Sequence, residues 1–326
     1  MNQNKTNANS CCSSSREVFT NSHHNPSGAY KLDTTNINRS IYSDKMVYIP
    51  GNDFLMGTED EEGFKADGEG PIKKVSIDPF YMDSYAVTNE EFTAFVNETG
   101  YQTDSEKFGW SFVFHKFLPE IPLGQMTQVP STPWWFAVEG ATWQQPEGPN
   151  SSIEDRMDYP VLHISWNDAI AFCKWAGKRL PTEAEWEFAA RGGLEQKRYP
   201  WGNELTPNGN HYCNIWQGSF PNNNTVADGY LGTAPAKSFP PNGYGLYNVS
   251  GNVWEWCSDW FTNTPNPNQA NNPKGPNRGT SKVMRGGSYL CHKSYCNRYR
   301  VAARSSNTID SATGNLGFRC VSDVQT

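Results

Sequence analysis

Gly177-Lys178-Arg179-Leu180-Pro181-Thr182-Glu183-Ala184-Glu185-Trp186-Glu187 reads as a helix start. Thr182 with Glu185 three residues on is a capping box, in which each side chain satisfies the backbone N–H of the other residue. The predicted helix runs through Trp186 and Phe188 and ends at Gly192-Gly193. Thr88-Asn89-Glu90-Glu91 is a second such box, with Phe92, Phe95 and Val96 on the apolar face and Gly100 as the stop. A third helix is predicted from Trp166 to Trp175, burying Ala169, Ile170, Phe172 and Cys173 and ending at Gly177.

Strand patterns precede these helices. Met46-Val47-Tyr48-Ile49-Pro50 and the Phe54/Met56 pair flank Gly51-Asn52-Asp53 and read as a hairpin. Val75-Ser76-Ile77 and the run Phe80 to Val87 follow an acidic loop from Glu59 to Glu69. Residues 100–160 and 195–280 read as loops rich in Pro, Gly and Asn. Their aromatics (Trp201, Tyr212, Trp216, Tyr230, Tyr244, Tyr247) argue for ordered loops rather than disorder, since long ordered loops are commonly functional.

Composition bounds the class. The chain has 326 residues, of which 12 are Trp, 28 Gly and 22 Pro, so aromatic packing and turns hold it together rather than long helices. Met1 to Asp44 has too few aliphatic residues to offset ordering entropy and is expected to be a disordered leader, with one domain over 45–326. Net charge is −7 and the basic residues are scattered, which gives no nucleic-acid footprint. No apolar run is long enough to span a membrane, and the N-terminus lacks the pattern of a secretory signal. The expectation is a monomer without nucleic-acid or membrane partners, cytoplasmic unless a truncated N-terminus has removed a secretory or periplasmic signal.

Eight cysteines show no C-x-x-C knuckle. Cys291 and Cys296 stand out in Gly286-Gly287-Ser288-Tyr289-Leu290-Cys291-His292-Lys293-Ser294-Tyr295-Cys296. By spacing alone they could be a disulfide, two buried thiols or a soft metal site. Zinc would need more ligands than His292 offers, whereas two thiolates suffice for copper(I). Cys213 and Cys257 could pair or be small buried hydrophobes. Cys11 and Cys12 lie in the leader with no assignable role.

The segment from Gly287 to Arg300 resembles the active-site segment of the formylglycine-generating enzymes, or sulfatase-modifying factors. Pro160 to Ala169, Gly177 to Glu187, Gly251-Asn252-Val253-Trp254-Glu255-Trp256 and Asn315 to Cys320 are also similar to that family, over roughly residues 45 to 323. The resemblance implies an α+β, loop-rich fold related to C-type lectins. It implies a copper- and O2-dependent oxidase that converts the cysteine of a Cys-x-Pro-x-Arg motif in unfolded sulfatases to Cα-formylglycine.

In that reading Cys291 and Cys296 hold copper(I), and the substrate cysteine completes a three-sulfur site. A Cβ hydrogen of the substrate is then removed, and the resulting thioaldehyde hydrolyses. Ser288, His292, Trp254 and Tyr295 are the further implied active-site residues, with Asn315 and Arg298 as substrate binders. Two structural calcium ions are implied, one at Asn214, Ile215, Asp228 and Tyr230, the other at Asn248, Gly251, Val253 and Glu255. Backbone carbonyls serve calcium well, which admits Ile, Tyr, Gly and Val to such sets. Cys173 and Cys320 coincide with a family disulfide, while a second family bridge is replaced by Ala190 and Val301. The rival readings are a sulfoxide synthase, which needs a His-rich iron site, and a non-catalytic lectin-like binding paralog, which lacks the cysteine pair.

Overall fold

A computed structural model describes residues 14–18, 44–120, 124, 126–264 and 269–325. The fold is α+β and loop-rich, as read. In chain order the elements are β1 (Met46–Ile49), β2 (Asn52–Met56), β3 (Lys73–Ile77), β4 (Phe80–Asp83), α1 (Asn89–Thr99), α2 (Asp104–Phe108) and β5 (Trp110–Phe114). They continue with β6 (Met126–Gln128), β7 (Trp135–Glu139), α3 (Trp166–Trp175), α4 (Glu183–Ala190), β8 (Gly218–Ser219) and β9 (Asn223–Asn224). The chain closes with β10 (Trp254–Trp260), β11 (Lys282–Arg285), β12 (Arg304–Asn307), β13 (Leu316–Gly317) and β14 (Val321–Asp323).

The two predicted capping boxes form, Thr88 with Glu91 and Thr182 with Glu185, and the structure adds a third at α3, Ser165 with Asp168. Gly100 closes α1 in the left-handed region, the conformation glycine tolerates best.

The predicted β1–β2 hairpin does not form. β1 pairs with β4 (Met46↔Asp83), and β2 pairs with β3 (Asn52↔Ile77). Gly51 is where the chain leaves one sheet for the other. Its φ is +63°, and a Cβ there would lie 2.5 Å from the Ile77 carbonyl oxygen. Alternation identifies strands but not their partners.

Residues 100–160 are not all loop either. α2 is a fourth capping-box helix, from Thr103 and Glu106, and β5, β7 and β6 form an antiparallel sheet. β10 crosses the other stretch read as loop. It is buried along most of its length, so its sequence Trp-Glu-Trp-Cys-Ser-Asp-Trp shows no simple polar alternation. The leader also needs correcting in part. Ser14–Val18 is placed on the domain with Arg16 wholly buried; the rest of the leader up to residue 43 lies outside the described residues.

The sheet β12-β11-β10-β13 holds the site, and α4 locks it in place. Glu183 accepts from Arg285 at 3.0 Å and from Arg304 at 2.5 and 2.7 Å. Glu187 accepts from Arg285 at 2.5 Å, from Arg191 at 2.6 Å and from the Gly57 amide at 2.8 Å. Trp186 donates to Glu255 on β10 at 2.8 Å. Glu183, Trp186 and Glu187 thus anchor a buried structural network. Burial pushes the Glu183 and Glu187 carboxyls up, but the surrounding guanidiniums outweigh it and hold both below their ordinary range.

Asp259, beside this network, goes the other way. Burial first and then the Glu183 charge push its carboxyl up to about 7. Between its unfolded pKa and that value the folded protein holds a proton that the unfolded chain has lost, so stability falls as pH rises through this window. Asp259→Asn removes the effect while keeping an acceptor for the Glu183 amide, which now donates to Asp259 at 2.9 Å. The variant should gain in urea midpoint over the native chain on going from about pH 5 to about pH 8. An unchanged difference across that range would contradict the assignment.

Candidate active site

The segment from Ser288 to Cys296 is two linked turns. The Cys291 amide donates to the Ser288 carbonyl at 2.9 Å. The Tyr295 and Cys296 amides donate to the His292 carbonyl at 3.0 and 2.7 Å. This folding brings the Cys291 and Cys296 sulfurs to 3.0 Å, both wholly buried. The turn is entered through Gly286 and Gly287, at φ +91° and +73°. A Cβ on Gly287 would stand 2.9 Å from the Arg298 carbonyl oxygen, so only glycine fits there without displacing backbone. Cys296 is disulfide-bonded, though not to Cys291, and that bond must be reduced before both sulfurs can act as thiolates.

Ser288 and Asn315 stand behind the pair. The Ser288 amide points at the Cys291 sulfur at 3.4 Å, and the Ser288 hydroxyl accepts from the Asn315 side chain at 3.0 Å. Asn315 is oriented in turn by the Thr313 hydroxyl, which donates to its Oδ1 at 2.7 Å. Its backbone carbonyl accepts from the Trp254 amide at 2.9 Å. Trp254 is wholly buried in the same apolar cluster as both cysteines.

Tyr295 stacks on Phe220 at 4.7 Å and meets Trp134 edge-on at 4.7 Å. Trp134 and Phe220 were missed by the sequence reading. The adjacent Trp134-Trp135 pair was the available signal, but nothing local ties it to a cysteine so distant in the chain. His292 is partly exposed, with Nδ1 2.8 Å from the Ser294 hydroxyl, and burial followed by the Lys293 charge lowers its pKa.

Arg298, implied as a substrate binder, is engaged by the acidic loop. Its guanidinium is 2.6 Å from Asp67 and lies over the Phe64 ring at 3.9 Å. Arg300 is bidentate with Glu69 at 2.6 and 2.8 Å. The acidic loop thus clamps the chain just after Cys296, and Arg298 positions that chain.

Two sets of hard oxygens were expected to hold calcium. Asn214 Oδ1 and Asn248 Oδ1 are both buried with no hydrogen-bond donor among the described residues, as oxygens awaiting a cation would be. In the first set, the Gln217 side-chain amide donates to both the Ile215 carbonyl and Asp228 Oδ2, so these oxygens converge on one point. Asp228 Oδ1 accepts from the Tyr230 amide at 3.0 Å. The two sets adjoin, because the Asn252 amide donates to the Asn214 carbonyl at 2.8 Å. In the second set Glu255 Oε2 already accepts from Arg319 at 2.7 Å and from Trp186 at 2.8 Å, while Oε1 accepts from Arg319 at 2.7 Å and keeps one lone pair for a cation. The donor chemistry fits calcium. Among the described residues no three His, Cys, Asp or Glu side chains gather as a metal cluster.

Cys173 and Cys320 meet as expected but are thiols, with sulfurs 3.5 Å apart, so the implied disulfide is absent. Cys213 and Cys257 are buried thiols in separate apolar clusters. Ala190 and Val301 share one apolar cluster.

Comparison with known proteins agrees with this geometry. A family model described as a sulfatase-modifying factor enzyme 1-like domain matches residues 34–324. The chain belongs to the sulfatase-modifying factor family, the formylglycine-generating type. It is 61% identical over 283 residues to the formylglycine-generating enzyme of Thermomonospora curvata, covering 85% of this chain and 93% of that one. It is 59% identical to the formylglycine-generating enzyme of Bos taurus, over 86% of this chain and 75% of that one. An inactive C-alpha-formylglycine-generating enzyme 2 of Mus musculus is 47% identical, over 86% of each chain. Among solved structures, PvdO from Pseudomonas aeruginosa superposes with a TM-score of 0.63 at 23% identity, over 86% of this chain and 94% of that one, a likeness of fold alone.

Proposed function

We propose that this chain is a formylglycine-generating oxidase that acts on the cysteine of a Cys-x-Pro-x-Arg segment in unfolded sulfatases. The observation that carries the reading is the buried convergence of the Cys291 and Cys296 sulfurs at 3.0 Å, in a chain 61% identical to a formylglycine-generating enzyme. A thiol is converted to an aldehyde with release of hydrogen sulfide. One O2, two electrons and two protons from a thiol reductant balance the step, and one water is formed.

Copper(I), held by Cys291 and Cys296 as thiolates, supplies the one-electron and dioxygen chemistry when bound. The chain's own residues supply the rest. The Ser288 amide donates toward the Cys291 sulfur and fixes its position. Asn315 fixes the Ser288 hydroxyl at the same spot. Trp254 closes the apolar side, and Tyr295 with Trp134 and Phe220 forms an aromatic wall that excludes water. The test is mass spectrometry of a Cys-Thr-Pro-Ser-Arg peptide after incubation with the chain, copper(I), a thiol reductant and air. The aldehyde product is expected, and its absence would overturn the reading.

Calcium at the two oxygen sets has a structural role in this account, ordering the loops before β10. Calcium at about a hundred times its dissociation constant should raise the melting temperature by about 5 °C over chelator-treated protein. Asn214→Ala and Asn248→Ala should each reduce that response. A melting temperature indifferent to calcium would contradict the assignment.

A further inference from the structure

Arg16 of the leader is wholly buried, although no carboxylate pairs with it among the described residues. Its guanidinium carbon lies 4.3 Å from the Phe108 ring and 4.2 Å from the Trp110 ring. Nε donates to the Asp310 carbonyl and Nη2 to the Trp110 carbonyl, each at 2.9 Å, while Nη1 has no acceptor among the described residues. This is an aromatic and carbonyl-lined socket shaped for a guanidinium.

Upstream of Arg16 the chain is held at further points. The Arg16 amide donates to the Ser311 hydroxyl at 2.9 Å, and the Ser14 carbonyl accepts from Asn307 at 3.1 Å. The Ser14 hydroxyl is 3.0 Å from that of Thr132. Two residues beyond Thr132 stands Trp134, whose ring meets Tyr295, the neighbour of Cys296. The segment therefore runs from the Arg16 socket toward the cysteine pair.

The sequence of this segment is Cys12-Ser13-Ser14-Ser15-Arg16. It repeats the cysteine-to-arginine spacing of Cys-x-Pro-x-Arg, with serine in the proline position.

We propose that the leader is a tethered pseudosubstrate: Ser14–Arg16 fills the groove that receives the sulfatase segment, with Arg16 in the place of the motif's arginine. This rests on the substrate reading given above. The occupancy is weak enough to be displaced. Burial lowers the Arg16 pKa to about 10 against the pull of Asp310, Asp104 and Asp168, which marks a guanidinium incompletely compensated for its lost water. The tether compensates by keeping the competitor at high local concentration.

The test measures binding without turnover. A fluorescein-labelled Ser-Thr-Pro-Ser-Arg peptide, with serine replacing the reactive cysteine, is titrated under thiol reductant into the full chain and into Arg16→Ala. The variant should bind the probe about tenfold more tightly. Arg16→Lys, which keeps the charge but loses the planar fork, should fall between, and it decides the matter if Arg16→Ala melts much lower. An unlabelled peptide of leader residues 10–18 should displace the probe from Arg16→Ala. Equal probe affinity for the native chain and both variants would overturn the pseudosubstrate and leave the oxidase reading intact. Probe binding to none of the three would overturn both.

Discussion

Cys296→Ser is expected to lower the yield of formylglycine from a Cys-Thr-Pro-Ser-Arg peptide by at least about 100-fold, because even second-shell losses around metals cost about 10–100-fold. The same loss is expected of Cys291→Ser. Serine is nearly isosteric, and the turn that places both residues is held by backbone bonds from Cys291, Tyr295 and Cys296. In reduced protein the melting temperature should therefore change little while activity collapses. Under the copper(I) reading, hard serine oxygen cannot replace a soft thiolate. A variant retaining more than a tenth of native yield would contradict a two-sulfur site and leave the reaction class standing.

Glu187→Ala should destabilise the fold by about 3–5 kcal/mol, the usual cost of stripping one partner from a buried ion pair. Glu187 is almost fully buried and holds Arg285, Arg191 and the Gly57 amide at once. Its loss strands the wholly buried Arg285 with only Glu183 and the carbonyls of Val301 and Ala302. Arg285 ends β11 and immediately precedes Gly286-Gly287, so the active-site turn should loosen as well. The melting temperature should fall by about 10 °C.

The folded pKa of Glu187 is depressed, so its stabilising effect is present above the ordinary carboxyl pKa and is lost as pH falls through the folded value. Glu187→Gln should accordingly flatten the acid limb of the stability curve. A loss below about 1 kcal/mol for Glu187→Ala would show that the network relaxes around the gap.

Local chemistry in the sequence was a sound guide to the helices. Thr88 and Thr182 announced their helices through their own side chains, and the structure uses both as read. Partner choice was not local. β1 and β2 look like a hairpin, yet Gly51 sends the chain from one sheet to another, and the pairing depends on β4 and β3. β10 was hidden because a strand buried on both faces loses its alternation. At the site, five-residue spacing could bring Cys291 and Cys296 together, and the structure does so.

The ion pair of Arg298 could not be read locally, because its partner Asp67 lies 231 residues earlier. The Arg16 socket was invisible for the same reason: Phe108, Trp110 and Asp310 assemble only when α2, β5 and the loop after β12 meet. A polar leader poor in aliphatic residues gave no hint that one arginine would be its anchor.

Under the proposed function, Cys291 and Cys296 act together as a copper(I) site for oxidising a protein cysteine. The most direct test is the formylglycine yield from the Cys-Thr-Pro-Ser-Arg peptide, measured by mass spectrometry while copper(I) is titrated into chelator-stripped, reduced protein in air. The yield should start near zero, rise linearly, and level off at one copper per chain in the native protein, with no rise in Cys291→Ser or Cys296→Ser. Full yield from the stripped protein in the presence of chelator would contradict the account.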